Sequence, residues 1–348
     1  MPKPEETSHL AGLPHSDLGH PTMKKRFDVL GLGCTAVDDL IYVDAYPPPD
    51  VKTRALRRER HCGGLTGMAL VTASRLGARC GYAGVLGADD YSRFVLRSLQ
   101  REGVNLDHVV RTAGAGPVQS VIVVDQTHKT RNIFFDGNRP IGAHPKSPSE
   151  EVILSARVLF VDIYGMQGMI RAARIARAAG IPVVGDFERS DVPRFGELIR
   201  LVDHLILPND FACRLAGAKH PWVAAEKLWR AFSHTRARGP VVIVTCGGGG
   251  CYCSHEKNRE AEHWPAFKVK AMDTTGCGDV FHGAYAAVLA RGMELKERIR
   301  FASAAAALKA AQHGGQAGIP NRAGVESFLR KTKQGTSASR ATVDRSTK

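Results

Sequence analysis

The chain has 348 residues, of which 43% are hydrophobic and 24% are charged, and its formal net charge at pH 7 is +14. These values are ordinary for a globular protein with one large buried core. No apolar run approaches the roughly 20 residues of a membrane span, so we expect no transmembrane helix. Residues 1–26 lack the apolar core of a signal peptide. The eight cysteines include no Cys-x-x-Cys pair, which indicates reduced core residues rather than a zinc site. We therefore expect a cytoplasmic protein with no membrane partner.

The basic residues lack the arrangement of a nucleic-acid-binding protein. Arginines are scattered along the predicted helices without interleaved aromatic residues, and residues 331–348 alone carry five basic residues against one Asp. Binding of anionic nucleotides and phosphorylated products explains the charge more simply, so we expect no nucleic-acid partner. We predict a flexible N-terminal extension at 1–26, a folded domain at 27–330 and a disordered basic tail at 331–348.

The first predicted strand covers Phe27 to Leu32 and runs into Gly31-Leu-Gly33-Cys-Thr-Ala36, which mimics a dinucleotide-binding fingerprint. That fingerprint requires a following helix, whereas Leu40 to Val43 has the composition of a strand, so dinucleotide binding is not favoured. Asp38 lies just beyond the first strand. Because open α/β sheets bind ligands at strand ends, we expect Asp38 to hydrogen-bond a ligand.

Several predicted strands in the N-terminal half are not separated by helices. Residues 118–125 and 130–135 have the pattern of a hairpin, and they join strands at 40–43 and 53–60 in a small antiparallel sheet. We interpret this sheet, within about 38–61 and 118–136, as a lid that excludes water from a reacting centre. Gly63-Gly64 precedes a predicted helix at 66–76 and allows either a close approach of the backbone to a ligand or a plain tight turn.

Strands alternate with helices from Val158 onward. The predicted strands cover 158–162, 182–186, 204–207 and 241–245. The predicted helices cover about 167–179, 192–201, 221–237, 278–290 and 295–312. Such alternation predicts an α/β fold with a mostly parallel, doubly wound sheet.

The stretch from Met272 to Phe281 combines a glycine-rich turn with the start of a helix. One of its two threonines can cap the helix with a hydroxyl group, and Gly276 and Gly278 let the backbone approach a ligand. The free N–H groups of the first turn then form an anion site. A carboxylate beside a bound phosphate is unfavourable, so we interpret Asp279 as a general base that deprotonates an attacking hydroxyl. The alternative is a glycine-rich helix cap with a stabilising Asp in the first turn.

The string Asp273-Thr-Thr-Gly-Cys-Gly-Asp279 resembles the signature Asp-Thr-Thr-Gly-Ala-Gly-Asp of the ribokinase-like (PfkB) carbohydrate kinases, with Cys277 in place of the usual Ala. The resemblance runs from about Phe27 to Leu329. It implies a ribokinase-like three-layer α/β/α sandwich with a small β-sheet lid. It also implies transfer of a phosphoryl group from ATP, with Mg²⁺, to a hydroxyl of a ketose or a related small sugar. No Walker A motif is present, because Gly247–Gly250 lacks the Gly-Lys-Ser/Thr that would follow.

The resemblance further implies roles for individual residues. The catalytic base is Asp279, and the anion hole is formed by the amides of Gly276, Cys277 and Gly278. The implied substrate-binding residues are Asp38, Gly63, Gly64 and Arg131. The implied nucleotide-binding residues are Asn209, Thr245, Gly247 and Ser303. A loop for a monovalent cation such as K⁺ is implied at Asp273 and Thr275. Two of the polar residues have plainer alternatives: Arg131 as a solvated strand arginine and His282 as a helix-packing residue.

Two positions depart from the common family pattern. Met68 replaces an Asn that touches the sugar in many members, and Ala212 replaces the Glu of an Asn-x-x-Glu motif that orders the magnesium shell. The chain therefore looks less like a ribokinase than like the ketohexokinase and sulfofructose kinase branch. Two other functions remain open, namely a nucleoside kinase of the same fold and a catalytically silent sugar or nucleotide sensor. Exposed edges of the lid strands also indicate a homodimer through the lid.

Overall fold

A computed structural model describes residues 25–233 and 239–332. Most of the predicted N-terminal extension and most of the predicted tail therefore lie outside the described residues, as does the end of the helix predicted at 221–237. In chain order, the strands are β1 (Phe27–Gly31), β2 (Ala36–Val43), β3 (Arg57–Gly63), β4 (Cys80–Tyr82), β5 (Gly84–Leu86), β6 (Val110–Arg111), β7 (Val118–Asp125), β8 (Thr130–Asp136), β9 (Gly142–Ala143), β10 (Ala156–Val161), β11 (Val183–Asp186), β12 (His204–Pro208), β13 (Val241–Thr245), β14 (Cys251–His255) and β15 (Asn258–Trp264). The helices are α1 (Leu65–Arg75), α2 (Asp90–Arg101), α3 (Glu150–Leu154), α4 (Met166–Ala178), α5 (Phe195–Ile199), α6 (Asn209–Ala216), α7 (Pro221–Ser233), α8 (Cys277–Leu289), α9 (Leu295–Ala310) and α10 (Arg322–Lys331).

An eight-stranded sheet forms the central layer, in the order β15-β14-β13-β12-β11-β10-β1-β4. The six strands from β13 to β4 run parallel, and the β14–β15 hairpin adds an antiparallel edge. The parallel strands are short, apolar and almost fully buried, as expected for a sheet that is covered on both faces.

Helices cover both faces of this sheet because successive strand residues point to opposite sides. Val158 and Phe160 of β10 belong to one core, which they share with residues of α1, α2, α8, α9 and α10. Leu159 and Val161 belong to the other core, which they share with residues of α3 to α7. The predicted three-layer α/β/α sandwich is confirmed.

A separate four-stranded sheet, in the order β3-β2-β7-β8, forms the lid. The β7–β8 hairpin pairs as the sequence predicts. The expectation of an entirely antiparallel lid is wrong, because β2 and β7 pair in parallel. Because β3 runs back antiparallel to β2, it ends at Gly63 beside Ala36, the start of β2, and β7 also starts there, at Val118. The two strands therefore run in the same direction.

One hairpin was missed by the sequence analysis, and one predicted helix needs correction. The hairpin β14–β15 was not predicted, because Asn258–Trp264 carries several charged residues and lacks an apolar alternation; it lies at the sheet edge, where partial exposure is tolerated. The helix predicted at 192–201 is only the short α5. Arg194 precedes it with a positive φ of 64° and therefore delays the helix start to Phe195.

The eight cysteines all lie within the described residues. All eight are free thiols, and Cys34, Cys62, Cys80, Cys251 and Cys253 are buried. Within residues 25–233 and 239–332, none of the helices has both the length and the apolar character that crossing a membrane requires.

Candidate active site

The catalytic turn, which we define as residues 272–279, leads into α8. Gly276 precedes the helix with φ 74°, a conformation that a residue with a Cβ adopts only under strain. The predicted threonine cap is wrong, since no side chain of the described residues caps this helix. The Thr275 hydroxyl instead accepts a hydrogen bond from Nη1 of Arg131 at 2.7 Å. The first turn of α8 therefore begins without a side-chain oxygen over its amides, which suits an anion site.

Asp279 lies in the first turn of α8 and lines a cavity of about 800 Å³ between the lid and the catalytic turn. Dense surroundings desolvate its carboxyl group and raise its pKa well above the ordinary value. The negative charge of Asp186 raises that pKa further, while His282 acts in the opposite direction. A carboxylate with a raised pKa is a stronger base, which suits the removal of a proton from a hydroxyl.

The cavity brings together most of the residues predicted around the acceptor. The predicted residues that line it are Asp38, Gly63, Gly64, Arg131, Asp273, Thr275, Gly276 and Asp279. Cys277 and Gly278 follow directly in the first turn of α8. The lid strands supply one wall and the catalytic turn supplies the opposite wall.

Asp38 and the glycine pair fit closely against each other. A Cβ at Gly63 would lie 2.4 Å from Oδ2 of Asp38, so only glycine leaves room for this carboxylate. Gly64 has φ 88°, and a Cβ there would lie 2.6 Å from the backbone of Thr35. The glycines therefore serve close backbone packing beside the cavity. Burial raises the pKa of Asp38, and a hydrogen bond with Ser120 partly offsets this effect.

The fingerprint-like glycines before β2 have a structural explanation. Oδ2 of Asp162, a fully buried residue, accepts hydrogen bonds from the Cys34 amide at 2.7 Å and from the Thr66 hydroxyl at 2.8 Å. A Cβ at Gly33 would lie 1.9 Å from the same oxygen. Gly33 thus makes room for a buried carboxylate that connects the end of β1 to α1. Strand β2 follows it, as the composition of Leu40 to Val43 predicts.

Met68 and Arg131 lie at opposite walls of the cavity. Met68 is 3% exposed, and its methyl group would lie 3.0 Å from a Cβ at Gly276, so it packs beneath the catalytic turn. Arg131 reaches from β8 to Thr275 and is therefore not simply a solvated strand arginine.

The predicted nucleotide residues lie outside the lining of this cavity. Thr245 ends β13 beside Pro208 of β12, and Asn209 starts α6, so both come from neighbouring strand ends. Gly247 begins a 3-10 turn with φ 54°. Ser303 lies on α9, and the nucleotide roles of all four residues stay predictions. Ala212 is fully buried in the second core.

Three charged or polar residues near the site were not predicted to act there. Asp186 ends β11, is 4% exposed, and its Oδ2 has no hydrogen-bond partner among the described residues. The Nδ1 atom of His282 lies 3.5 Å from that oxygen. Its two ring nitrogens face the carbonyl oxygens of Gly278 at 2.8 Å and Ile206 at 3.0 Å, which agrees with a helix-packing role. The sequence did contain a signal for Asp186, because an acidic residue at the carboxyl end of a parallel strand is well placed to face a ligand.

The third residue, Lys309 on α9, contacts the predicted cation loop. Its Nζ donates a hydrogen bond to the backbone carbonyl of Asp273 at 2.9 Å and lies 3.6 Å from Oδ2 of the same residue. Oδ1 of Asp273 accepts a hydrogen bond from the Thr275 amide at 2.8 Å. Burial would raise the pKa of Asp273, but hydrogen bonds from Thr275, together with the charge of Lys309, lower it overall. No group of three or more His, Cys, Asp or Glu side chains in the described chain is arranged to hold a metal ion.

Comparisons with known proteins agree with this architecture. A family model described as pfkB family carbohydrate kinase matches residues 31–322. The chain is 28% identical over 301 residues to a ribokinase of Staphylococcus aureus, covering 84% of this chain and 96% of the relative. It is 26% identical over 305 residues to a nucleoside kinase of Methanothermobacter thermautotrophicus, covering 86% and 94%.

Two solved structures share the fold. A ribokinase from Thermotoga maritima superposes with a TM-score of 0.73 at 25% identity and covers 87% of this chain and 99% of its own. An Arabidopsis thaliana ribokinase complexed with ribose and ATP superposes with a TM-score of 0.76 at 21% identity and covers 87% and 98%.

Proposed function

The chain belongs to the PfkB family of carbohydrate kinases and is a phosphotransferase with an alcohol acceptor, and we propose that it transfers the γ-phosphoryl group of ATP to a hydroxyl of a ketose or related small sugar. The observation that carries the proposal is Asp279, a carboxylate with a raised pKa that faces a cavity from the first turn of a glycine-initiated helix. This arrangement combines a base and an anion site within one helical turn.

In the proposed reaction, Asp279 takes the proton of the acceptor hydroxyl. The amides of Gly276, Cys277 and Gly278 stabilise the negative charge on the transferring group, aided by the dipole of α8. Asp38, opposite the catalytic turn, orients the sugar by accepting hydrogen bonds from its hydroxyls. The lid closes over both residues and excludes water, which would otherwise compete as acceptor.

The nucleotide is proposed to lie along Asn209, Thr245, Gly247 and Ser303, and a ribokinase of the same fold was solved with ribose and ATP. Mg²⁺ bound to ATP neutralises charge on the phosphates. Oδ2 of Asp186 fits such an ion, because this buried oxygen has no hydrogen-bond partner among the described residues and can accept hydrogen bonds from the ion's water shell. Asp186 would hold it together with Glu188, which follows the end of β11 by two residues and whose negative charge raises the pKa of both Asp186 and Asp279. In this role Asp186 compensates for the Glu of the family's Asn-x-x-Glu motif, which is replaced by Ala212 in this chain.

The acceptor is proposed to be a ketose of the kind used by the ketohexokinase and sulfofructose kinase branch. Met68 supports this choice, because a thioether cannot replace the hydrogen bonds of the Asn that touches the sugar in many relatives. Arg131 lines the same cavity and can donate to a polar substituent of the acceptor.

A nucleoside is the second candidate acceptor, and one specific observation favours it. The lid face of the cavity has an apolar stripe formed by Leu40, Ile122, Val124 and Ile133. A planar base would pack against this stripe better than a sugar would. A silent sensor is disfavoured, since Asp279 and the complete glycine turn are the parts that binding alone does not require.

The test is phosphate transfer from ATP across a panel of ketoses, aldoses and nucleosides. Under the proposal, a ketose gives the highest kcat/KM, and adenosine and inosine neither react nor compete for the acceptor site. Efficient phosphorylation of a nucleoside would select the second candidate. Calorimetric binding of both ATP and a sugar without any product would favour the sensor.

The lid also supports a homodimer. Val121 and Phe134 pair across β7 and β8 on the face turned away from the cavity, and they are 41% and 55% exposed. Neighbouring apolar side chains of this size on a sheet surface are a common site of subunit contact. The cytoplasmic location expected from the sequence stays a prediction.

A further inference from the structure

Lys309 is a fully buried lysine in the last turn of α9. A buried ammonium group is costly unless a negative partner compensates it. Its partner is Asp273, through the backbone carbonyl at 2.9 Å and the carboxylate Oδ2 at 3.6 Å from Nζ. One residue of the catalytic turn therefore presents two oxygens to one fixed positive charge.

Asp273 joins three segments around this charge. Its Oδ1 accepts from the Thr275 amide at 2.8 Å, and its Oδ2 accepts from the Gly314 amide at 3.1 Å. The amides of Met272 and Asp273 both donate to the carbonyl of Ala310, at 2.7 and 3.1 Å. These hydrogen bonds hold together the catalytic turn, the end of α9 and the turn at Gly314. They meet at the carboxylate of Asp273, whose negative charge Lys309 neutralises.

A monovalent cation in this loop does not fit the residues present. Of the two residues of the implied cation loop, Asp273 carries the negative charge, and such an ion would need its carbonyl and carboxylate oxygens. The ammonium group of Lys309 already occupies both, and a second positive charge beside it would be repelled. An ammonium ion resembles K⁺ in charge and size, so the lysine can supply the same electrostatic effect from within the chain.

The charge of Lys309 also reaches the anion hole. Burial raises the pKa of the Cys277 thiol, and the positive charge of Lys309 is the largest influence that opposes this rise. Cys277 is the first residue of α8. A cation at this position adds to the positive potential of the helix N-terminus, where negative charge develops during phosphoryl transfer.

We propose that Nζ of Lys309, held by Asp273 at the start of the catalytic turn, is a built-in monovalent cation, so that this protein binds nucleotide and transfers phosphate without K⁺. The proposal rests on the proposed kinase function for its catalytic part. Lys309 is a positioning residue, because it acts through Asp273 and the catalytic turn rather than by touching the substrates.

The test measures binding of a non-hydrolysable ATP analogue by calorimetry, and phosphate transfer, in choline, sodium, potassium and ammonium chloride at equal ionic strength. The wild-type protein is expected to give the same affinity and the same rate in all four salts. Lys309→Ala is expected to lose up to about 100-fold in rate, the lower end of what removal of a direct anion-hole donor costs, because Lys309 acts through Asp273. Potassium or ammonium chloride should restore much of this loss by filling the vacated space, whereas choline should not.

Two control variants separate the charge from the packing. Lys309→Met fills the space with an uncharged chain, so it should lose affinity and rate without rescue by any salt. Lys296→Ala removes an exposed lysine of the same helix and should leave both unchanged.

Activation of the wild-type protein by K⁺ would overturn the proposal, and so would a Lys309→Ala variant that equals wild type in choline chloride. If the analogue binds wild type equally in all salts and Lys309→Ala needs K⁺ to bind it, while no acceptor is phosphorylated, the built-in cation stands and the kinase function fails.

Discussion

Arg131 of the lid donates a hydrogen bond to the hydroxyl of Thr275 in the catalytic turn, with Nη1 and Oγ1 2.7 Å apart. The two residues lie 144 positions apart in the chain and belong to opposite walls of the cavity. This contact joins the lid sheet to the turn that carries Asp279.

Loss of that contact should weaken acceptor binding. Arg131→Ala is expected to raise KM for the acceptor by about tenfold, or about 1.4 kcal/mol, which is close to the lower end of what a hydrogen bond to a charged group contributes. The effect on KM for ATP should be smaller. Steady-state kinetics with each substrate varied in turn checks this prediction. Arg97→Ala, at an exposed position of α2, is the control and should match wild type. An unchanged KM in Arg131→Ala would show that the lid closes without this residue.

The pH dependence of the rate should reflect the environment of Asp279. Burial and the charge of Asp186 raise the pKa of Asp279, and a base must be deprotonated to act. Activity should therefore rise with pH through a limb that lies above the ordinary carboxyl pKa of about 4. Asp186→Asn removes a neighbouring negative charge and should move this limb of kcat/KM to lower pH, whatever its effect on the maximal rate. The exposed variant Glu297→Gln should leave the limb in place, and a limb that does not move in Asp186→Asn would argue against this coupling.

His282 should contribute to stability more than an exposed histidine does. Its ring nitrogens face the carbonyl oxygens of Gly278 and Ile206 and so connect α8 to β12. His282→Leu leaves these buried groups with fewer partners and should lower the free energy of unfolding by about 1–3 kcal/mol. Urea denaturation measures the change, and His220→Leu, at an exposed position, serves as the comparison. Equal stabilities of the two variants would contradict the bridging role.

The oligomeric state should depend on the outer face of the lid. Phe134→Asp places a charge in the apolar pair with Val121, and we expect it to convert a dimer into a monomer. Sedimentation velocity of the wild-type protein and the variant measures this directly. A wild-type protein that is already monomeric at micromolar concentration would exclude the proposed dimer.

The sequence predicted the parts of the site that depend on local chemistry. The glycines around Asp279 and the hairpin at 118–136 follow from turn chemistry and alternation, and both features are present. The contacts of Lys309 with Asp273 and of Arg131 with Thr275 join residues 36 and 144 positions apart, so no local pattern can reveal them. The parallel pairing of β2 with β7 was missed for the same reason, since it depends on the path of the intervening chain.

The roles of the glycines before β2 could also be assigned only from the fold. The spacing of Gly31 and Gly33 alone is compatible with a nucleotide, and the absence of a following helix argued against that reading. The buried carboxylate of Asp162, more than a hundred residues away, is what requires Gly33.

The most direct test of the central claim compares phosphate transfer by wild type and Asp279→Asn with the best acceptor of the panel. We expect the variant to lose about 10²–10⁴-fold in kcat, the usual contribution of a general base. It should remain folded and be at least as stable: the raised pKa of Asp279 means that its ionisation costs stability as the pH rises toward that pKa, and Asn removes this cost. A folded Asp279→Asn protein with the wild-type rate would contradict the assignment of Asp279 as the base.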